Sequence, residues 1–380
     1  MAGIRTDKIY KNFINNISKE YDIVIKNHDN FKINYSKDKE SKSDEFILWR
    51  KSGDIVKSES ISYDFKYSIL TLDNIYYLVI ENYNDKVKID FLEEIELNLG
   101  HFIYLYKSED YYPQLNQNLE EYDILDILDT IDEDYKFHDF DDIKKIFVDI
   151  RVFKISQECP FDFDDKNIDN TIYRIISLIL VDKYKSKRFT YLKEDTLDEY
   201  VRIIRRDLKY FPYDNIMQSL LENKPSKVFL EIYRVIERLY PYIMVKKFKE
   251  SIGKREINED IFSIYNALKS INWSHNEEDS IIELFDSISL EPDEHIKELM
   301  KSTGCEDMNI GKWIYRIRNM IVHLSLEKTS KDIDVSSILK TDLLIGYIIK
   351  SLDKIYVYCF GEVWFVLYQK GIAKTRQYLF

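Results

Sequence analysis

The sequence predicts an α+β chain of two unlike parts, a mostly antiparallel β domain at the N-terminus and an all-α helical bundle at the C-terminus. Three observations carry this. The 380 residues exceed what one hydrophobic core usually organises. Gly (9) and Pro (6) are scarce beside Tyr (30) and Phe (21), so long regular elements outweigh loops. The hydrophobic period then changes from two to about 3.6 near residue 170.

Residues 5–20 place Ile9, Phe13 and Ile17 at helical spacing. Short runs rich in aromatic and β-branched residues follow at Phe31–Tyr35, Glu45–Arg50, Ser62–Leu72, Ile75–Glu81 and Lys86–Phe91. Ser52-Gly53-Asp54, Asp73-Asn74 and Asn84-Asp85 punctuate them with hairpin-turn chemistry. Residues 1–112 therefore read as a β-rich sensor or scaffold with a leading helix and no catalytic signature. Residues 113–170 read as an acidic mixed linker segment, since Glu120 to Asp149 sets twelve carboxylates against Lys136, Lys144 and Lys145. Asp162, Asp164, Asp165 and Asp169 within it lack the Gly and Glu of a calcium loop and read as solvated surface.

Residues 171–380 carry helical periodicity, first at Ile172, Ile175, Ile176 and Ile179, then at Tyr200, Ile203, Ile204 and Leu208. Ser226 is placed to cap a helix whose apolar face is Phe229, Ile232, Ile236, Leu239 and Ile243, with Pro241 expected to kink its last turns. Apolar spacing predicts further helices near 259–271, 278–288 and 291–303.

The net charge of -13 speaks against a binder that uses its whole surface to neutralise nucleic-acid phosphates. Between Val181 and Asp260, however, eighteen Lys and Arg outnumber fourteen Asp and Glu, so a polyanion is expected at the C-terminal half. Candidate phosphate contacts are Lys183, Lys185, Lys187, Arg188, Arg202, Arg205 and Arg206. Cys159, Cys305 and Cys359 are odd in number and far apart, which predicts buried free thiols rather than a disulfide or zinc framework. The N-terminus lacks the apolar stretch of a leader, and the apolar run Ile355–Tyr368 is short and contains Glu362. A cytoplasmic protein is expected, with no membrane, metal or cofactor implied.

The stretch from Trp313 to Ser325 carries the chemistry. Trp313, Ile317, Met320, Ile321 and Leu324 define one apolar face of a helix. Arg318 and His323 fall to either side of that stripe, with Asn319 one turn before His323. Tyr315, Val322 and Leu326 lie between the two on the face away from the core, a seam suited to pairing with a second copy. Histidine can take and return a proton near neutral pH. Arginine holds a phosphate and the charge that develops on it.

Arg318-Asn319-Met320-Ile321-Val322-His323 resembles the motif of the HEPN ribonucleases, an Arg separated by four to six residues from a His, often with a polar residue after the Arg. Phe229 to Leu239 is similar to that family's amphipathic helix with an internal Glu, here Glu237, which either orients Arg318 or is a solvated acid. Arg316, with six residues between it and His323, also falls within the family's spacing and could share or replace the role of Arg318. The resemblance covers about residues 170–365. It implies an all-α domain that forms a homodimer, joins two motifs across a composite cleft and cuts RNA without a metal. It further implies a toxin or anti-phage defence effector with a regulatory or antitoxin partner. Ser325 stands where family members silenced by nucleotide addition carry Tyr, which speaks against that control. The competing class is a non-catalytic HEPN-like module that binds RNA, a nucleotide or a protein; a third is an assembly subunit joined through sheet edges.

Overall fold

The computed structural model describes residues 13–15, 17–19, 33–34, 54–62, 65–83, 85–105, 114–129, 138–163, 167–187, 191–251, 261–270, 276–288, 290–323 and 335–361. The chain divides into two compact units, Met1–Cys159 and Pro160–Phe380.

In the first unit residues 13–15 and 17–19 are helical, and Phe13, Ile14 and Ile17 are buried as their spacing requires. Its strands are β1 (Ile33–Asn34), β2 (Asp54–Ser62), β3 (Phe65–Leu72), β4 (Ile75–Glu81), β5 (Leu92–Ile95), β6 (His138–Asp139) and β7 (Ile150–Ile155). Its named helices are α1 (Leu99–Leu105), α2 (Glu121–Asp129) and α3 (Phe140–Lys144). Five strands form an antiparallel sheet in the order β2-β3-β4-β7-β5, while β1 and β6 pair in parallel. Asp73 and Asn74 join β3 to β4 with φ of 50° and 64°, the two left-handed residues that a tight hairpin turn needs.

Several sequence expectations are revised here. Composition makes residues 113–170 an acidic linker, yet the sheet draws β7 from them and seats it between β4 and β5. The acids occupy one side of short amphipathic helices: Glu121, Asp123, Asp126 and Asp141 are exposed while Ile124, Leu128, Phe140 and Ile143 are buried. A charge count averages that pattern away. β2 begins at Asp54, which the sequence assigns to a turn, and it takes Ser62 from the run expected to form β3. Lys86–Phe91 forms no ladder, although Ile89 and Phe91 are buried. A turn in which Leu92 N–H donates to Ile89 O (2.9 Å) delays pairing until β5. Ile9 and Glu45–Arg50 lie outside the described residues.

The described part of the second unit is helical, as expected. It comprises α4 (Ile168–Lys187), α5 (Glu194–Arg205), α6 (Tyr213–Leu221), α7 (Pro225–Glu237), α8 (Tyr240–Ser251), α9 (Ile261–Ser270), α10 (Glu277–Asp286), α11 (Glu294–Ser302), α12 (Ile310–His323), α13 (Val335–Ile338) and α14 (Leu343–Phe360). Helix α14 is the central one, with eleven of its eighteen residues buried against α5, α7, α10 and α11. It stops at Gly361, whose φ of 75° lets its N–H turn back to Val357 O (2.8 Å).

The segment expected as one kinked helix is two. Pro241 has no N–H to give the carbonyl of Glu237, so α7 ends at Glu237 and α8 restarts at Tyr240. The start also differs from a Ser226 cap, because Pro225 occupies the first helical position behind Lys224. Tyr210, in the turn between α5 and α6, has a φ of 60°, a conformation that costs a non-glycine residue about 1–3 kcal/mol. All three cysteines are free and buried, as their spacing predicts. Among the described residues no helix is long and apolar enough to cross a membrane.

Candidate functional site

Helix α12 is fixed at its start before it presents any chemistry. Asn309 Oδ1 accepts from the N–H groups of Gly311 (2.8 Å) and Lys312 (3.3 Å), and Asn309 Nδ2 donates to Asp286 at the end of α10 (2.8 Å). Gly311 lets the two helices touch, since a Cβ there would stand 2.8 Å from Ile281 O and 3.0 Å from Ile282 Cα. Trp313, Ile314 and Ile317 are fully buried, so the inward stripe is wider than the sequence pattern by Ile314. Met320 and Ile321, expected in the core, are half-buried near the helix end, and Leu324 lies outside the described residues.

Arg318 sits at the edge of that stripe and faces the last turn of α7. Its Nη2 donates to Glu237 Oε1 (3.2 Å), its Nη1 to Asn319 Oδ1 (3.0 Å), and its Cζ lies 5.8 Å from the centroid of the Tyr233 ring. Tyr233 and Glu237 are one turn apart on α7, which aligns an aromatic face and a carboxylate under one guanidinium. Tyr233 itself is buried and shares a 2.7 Å hydroxyl contact with Tyr240, the first residue of α8. The break before Pro241 thus leaves Glu237 at the end of α7.

Burial holds the Glu237 carboxyl above the ordinary range despite the opposing pull of Arg318, and Glu277 adds to the rise. The same burial raises the Tyr233 and Tyr240 hydroxyls, which stay protonated and act as fixed dipoles. Both members of the Arg318–Glu237 pair are partly exposed, so the bond contributes under about 1 kcal/mol to stability and acts chiefly on orientation. The Arg318 side chain keeps 22% of its surface exposed, with donors that a phosphate oxygen can share.

The remaining candidates divide. His323 is the last residue of α12, five positions beyond Arg318. Arg316 is exposed on another face of the same helix. Val322 is exposed and Tyr315 half-buried, while Leu326, the third residue of the expected seam, lies outside the described residues. Among the basic candidates, Arg202 Nη1 donates to Asp353 Oδ2 on α14 (2.7 Å), and Arg206 Nε approaches Asp353 Oδ1 at 3.0 Å without the alignment of a hydrogen bond. Asp353 is buried, so these two arginines clamp α5 to α14 rather than standing free for phosphate. Lys185 pairs with Asp198 and Lys183 is half-buried, whereas Arg205 is exposed. Arg188 and the side chain of Lys187 lie outside the described residues.

No family model, curated protein or solved structure matches this chain. The site therefore has to be read from its own residues. Two of its members, Tyr233 and Tyr240, were not singled out in the sequence. The signal that could have found Tyr233 is its one-turn spacing to Glu237; Tyr240 becomes visible only once the helix is known to break.

Proposed function

We propose that the C-terminal unit is a metal-independent endoribonuclease of the HEPN type, with Arg318 and His323 as its catalytic pair and a second copy of the chain completing the cleft. The observation that carries this is the setting of Arg318, a partly exposed guanidinium held by Glu237, Asn319 and the Tyr233 ring. A group fixed in this way pays little ordering entropy when a phosphate arrives, and charge that develops on the phosphoryl oxygens meets an oriented donor. Such a site suits RNA. A neutral imidazole of His323 removes the proton of the ribose 2′-hydroxyl, and the oxygen attacks the adjacent phosphorus while Arg318 bears the added charge. The 5′-oxygen leaves with a proton, and the products are a 2′,3′-cyclic phosphate and a 5′-hydroxyl. Asn319 accepts from Arg318 and so helps to hold the guanidinium in place. Single-stranded or looped RNA is the substrate class, because in-line attack needs a backbone that can leave A-form geometry.

The test uses an RNA cut at a mapped site and the same RNA with one 2′-deoxy residue just 5′ of the scissile phosphate. The all-ribose strand should be cut to a cyclic phosphate and the deoxy strand left whole. Arg318→Ala and His323→Ala should each lower the rate by about 10²- to 10⁴-fold. Cutting of the deoxy strand, or full activity in both variants with Arg316 also replaced, refutes the mechanism. Activity lost only with an unfolding variant is recognised by its circular dichroism spectrum.

A further inference from the structure

We infer that the exposed seam between α5 and α14 is a track for the sugar-phosphate backbone of single-stranded RNA, with Lys350, Lys354 and Arg205 as its phosphate contacts. This deepens the ribonuclease reading and rests on it for the kind of polymer bound.

Helix α14 is apolar along most of its length, and its charged residues are Lys350, Asp353 and Lys354. Asp353 is buried and faces α5, where Arg202 Nη1 donates to its Oδ2 (2.7 Å) and Arg206 Nε lies 3.0 Å from its Oδ1. Gly346, two turns earlier, meets Thr196 so closely that a Cβ would stand 2.9 Å from the Thr196 Oγ1. These contacts advance in chain order on both helices, so α5 and α14 lie side by side and run in the same direction. At about 100° per residue, Lys350 and Lys354 stand about 60° and 100° around α14 from Asp353, both to the same side. Both are exposed, which puts them on the solvent flank of the seam. About 6 Å of helix rise separates them, a step comparable to that between successive phosphates on an extended strand.

Charge complementarity selects the occupant. Two ammonium groups four residues apart on one helix face repel each other and oppose the helix. Among the described residues neither lysine has a carboxylate partner, and Arg205, exposed at the end of α5, has none either. The acids of the seam are taken, Asp353 by Arg202 and Arg206, and Glu199 by Arg202 (2.6 Å). Those two arginines fix the wall of the seam. Each still keeps 41% of its side-chain surface exposed, so their charge adds to the field of the three free cations. In a chain of net charge -13, uncompensated cations gathered along two parallel helices select a polyanion. Such contacts grip phosphates and carry no base preference. The track also belongs to the same packed body as the candidate site, because α14 lies against α7, with Tyr356 donating to Val235 O (3.1 Å).

The experiment measures equilibrium binding of a fluorescein-labelled twelve-nucleotide uridine RNA to the full chain carrying His323→Ala, so that binding is read without cutting. Adding Lys350→Gln with Lys354→Gln should weaken binding by about 25-fold at about 0.1 M salt. It should also flatten the slope of log affinity against log salt by about 1.4, the share of two phosphate contacts on a single strand. Arg205→Gln alone should flatten that slope by about 0.7. Thermal midpoints should hold, since all three side chains are exposed and the double variant removes a repulsion. Lys269→Gln with Lys301→Gln, at exposed positions on α9 and α11, changes the net charge equally and should leave binding as it was. Equal weakening in that control overturns the track in favour of diffuse attraction. Unchanged affinity in the Lys350 and Lys354 variant overturns it even where the wild type cuts RNA, and so leaves the catalytic reading standing. Weakened binding in that variant, with an unaffected control and no cutting by the wild type, supports the track and removes the catalytic reading. A chain that ignores the RNA at low salt overturns the track and assigns its cations to an acidic protein surface.

Discussion

His101 should make the first unit sensitive to mild acid, and replacing it should remove that sensitivity. It lies fully buried near the start of α1, where Asn98 N–H donates to its Nδ1 (3.2 Å) and Asn98 Oδ1 accepts from its own N–H (2.9 Å). This is the reciprocal arrangement of a capping box with histidine in the place of Glu or Gln. Burial depresses its pKa to about 3, so the folded chain keeps the ring neutral. An unfolded histidine titrates near 6.5, and between the two values only the unfolded chain binds the proton. The folded pKa is the lower one, so the stabilisation is complete above about pH 6.5 and is lost as pH falls, by about 1.4 kcal/mol per unit. From pH 6.5 to 5 that amounts to about 2 kcal/mol. His101→Gln keeps an acceptor for Asn98 N–H and removes the titration. Urea unfolding of both proteins at pH 7, 6 and 5, followed through the first unit, should show wild type losing about 2 kcal/mol more than the variant. The carboxylates are common to both and cancel. Parallel stability profiles for the two proteins would refute the assignment of a neutral buried imidazole.

Two other perturbations test the frame of the candidate site. Gly311→Ala drives a methyl group to 2.8 Å from the Ile281 carbonyl and should cost about 1–3 kcal/mol, read as a lowered thermal midpoint with slower RNA cutting; an unchanged midpoint would show that α12 does not depend on that close approach. Val322→Glu adds a charge at a position 45% exposed and should leave folding intact while shifting sedimentation from dimer to monomer; a wild type that is monomeric while active removes the composite cleft.

Much of the helical unit is legible in the sequence because its cores repeat at helical spacing, as at Ile172, Ile175, Ile176 and Ile179, all of them buried. The hairpin at Asp73-Asn74 is legible for a local reason, since both residues accept a positive φ. What escapes is whatever depends on distant partners. β7 hides inside a segment of net negative charge because its neighbours β4 and β5 come from elsewhere in the chain. Arg202 and Arg206 look like phosphate ligands until Asp353, some 150 residues on, is placed beside them. The pair of Arg318 with Glu237 spans 81 residues, and its aromatic floor at Tyr233 has no sequence mark beyond one-turn spacing.

The helical geometry of α12 bears directly on how its motif can act. Five positions advance the chain by about 7.5 Å and turn it through about 140°, so positions 318 and 323 look in different directions from the same helix. Arg318 is turned to the α7 side, where it meets Glu237 and the Tyr233 ring. In the proposed ribonuclease, a phosphate on Arg318 would be poorly served by position 323 of the same helix, and the dimer reading predicts that position 323 of a second copy serves it instead. The sector between the two positions holds Tyr315, half-buried, and Val322, exposed, so contact between copies would cover apolar surface where the two motifs approach. Under the proposed ribonuclease reading, this splay predicts that cutting requires assembly, and a chain that cuts RNA as a monomer would refute it.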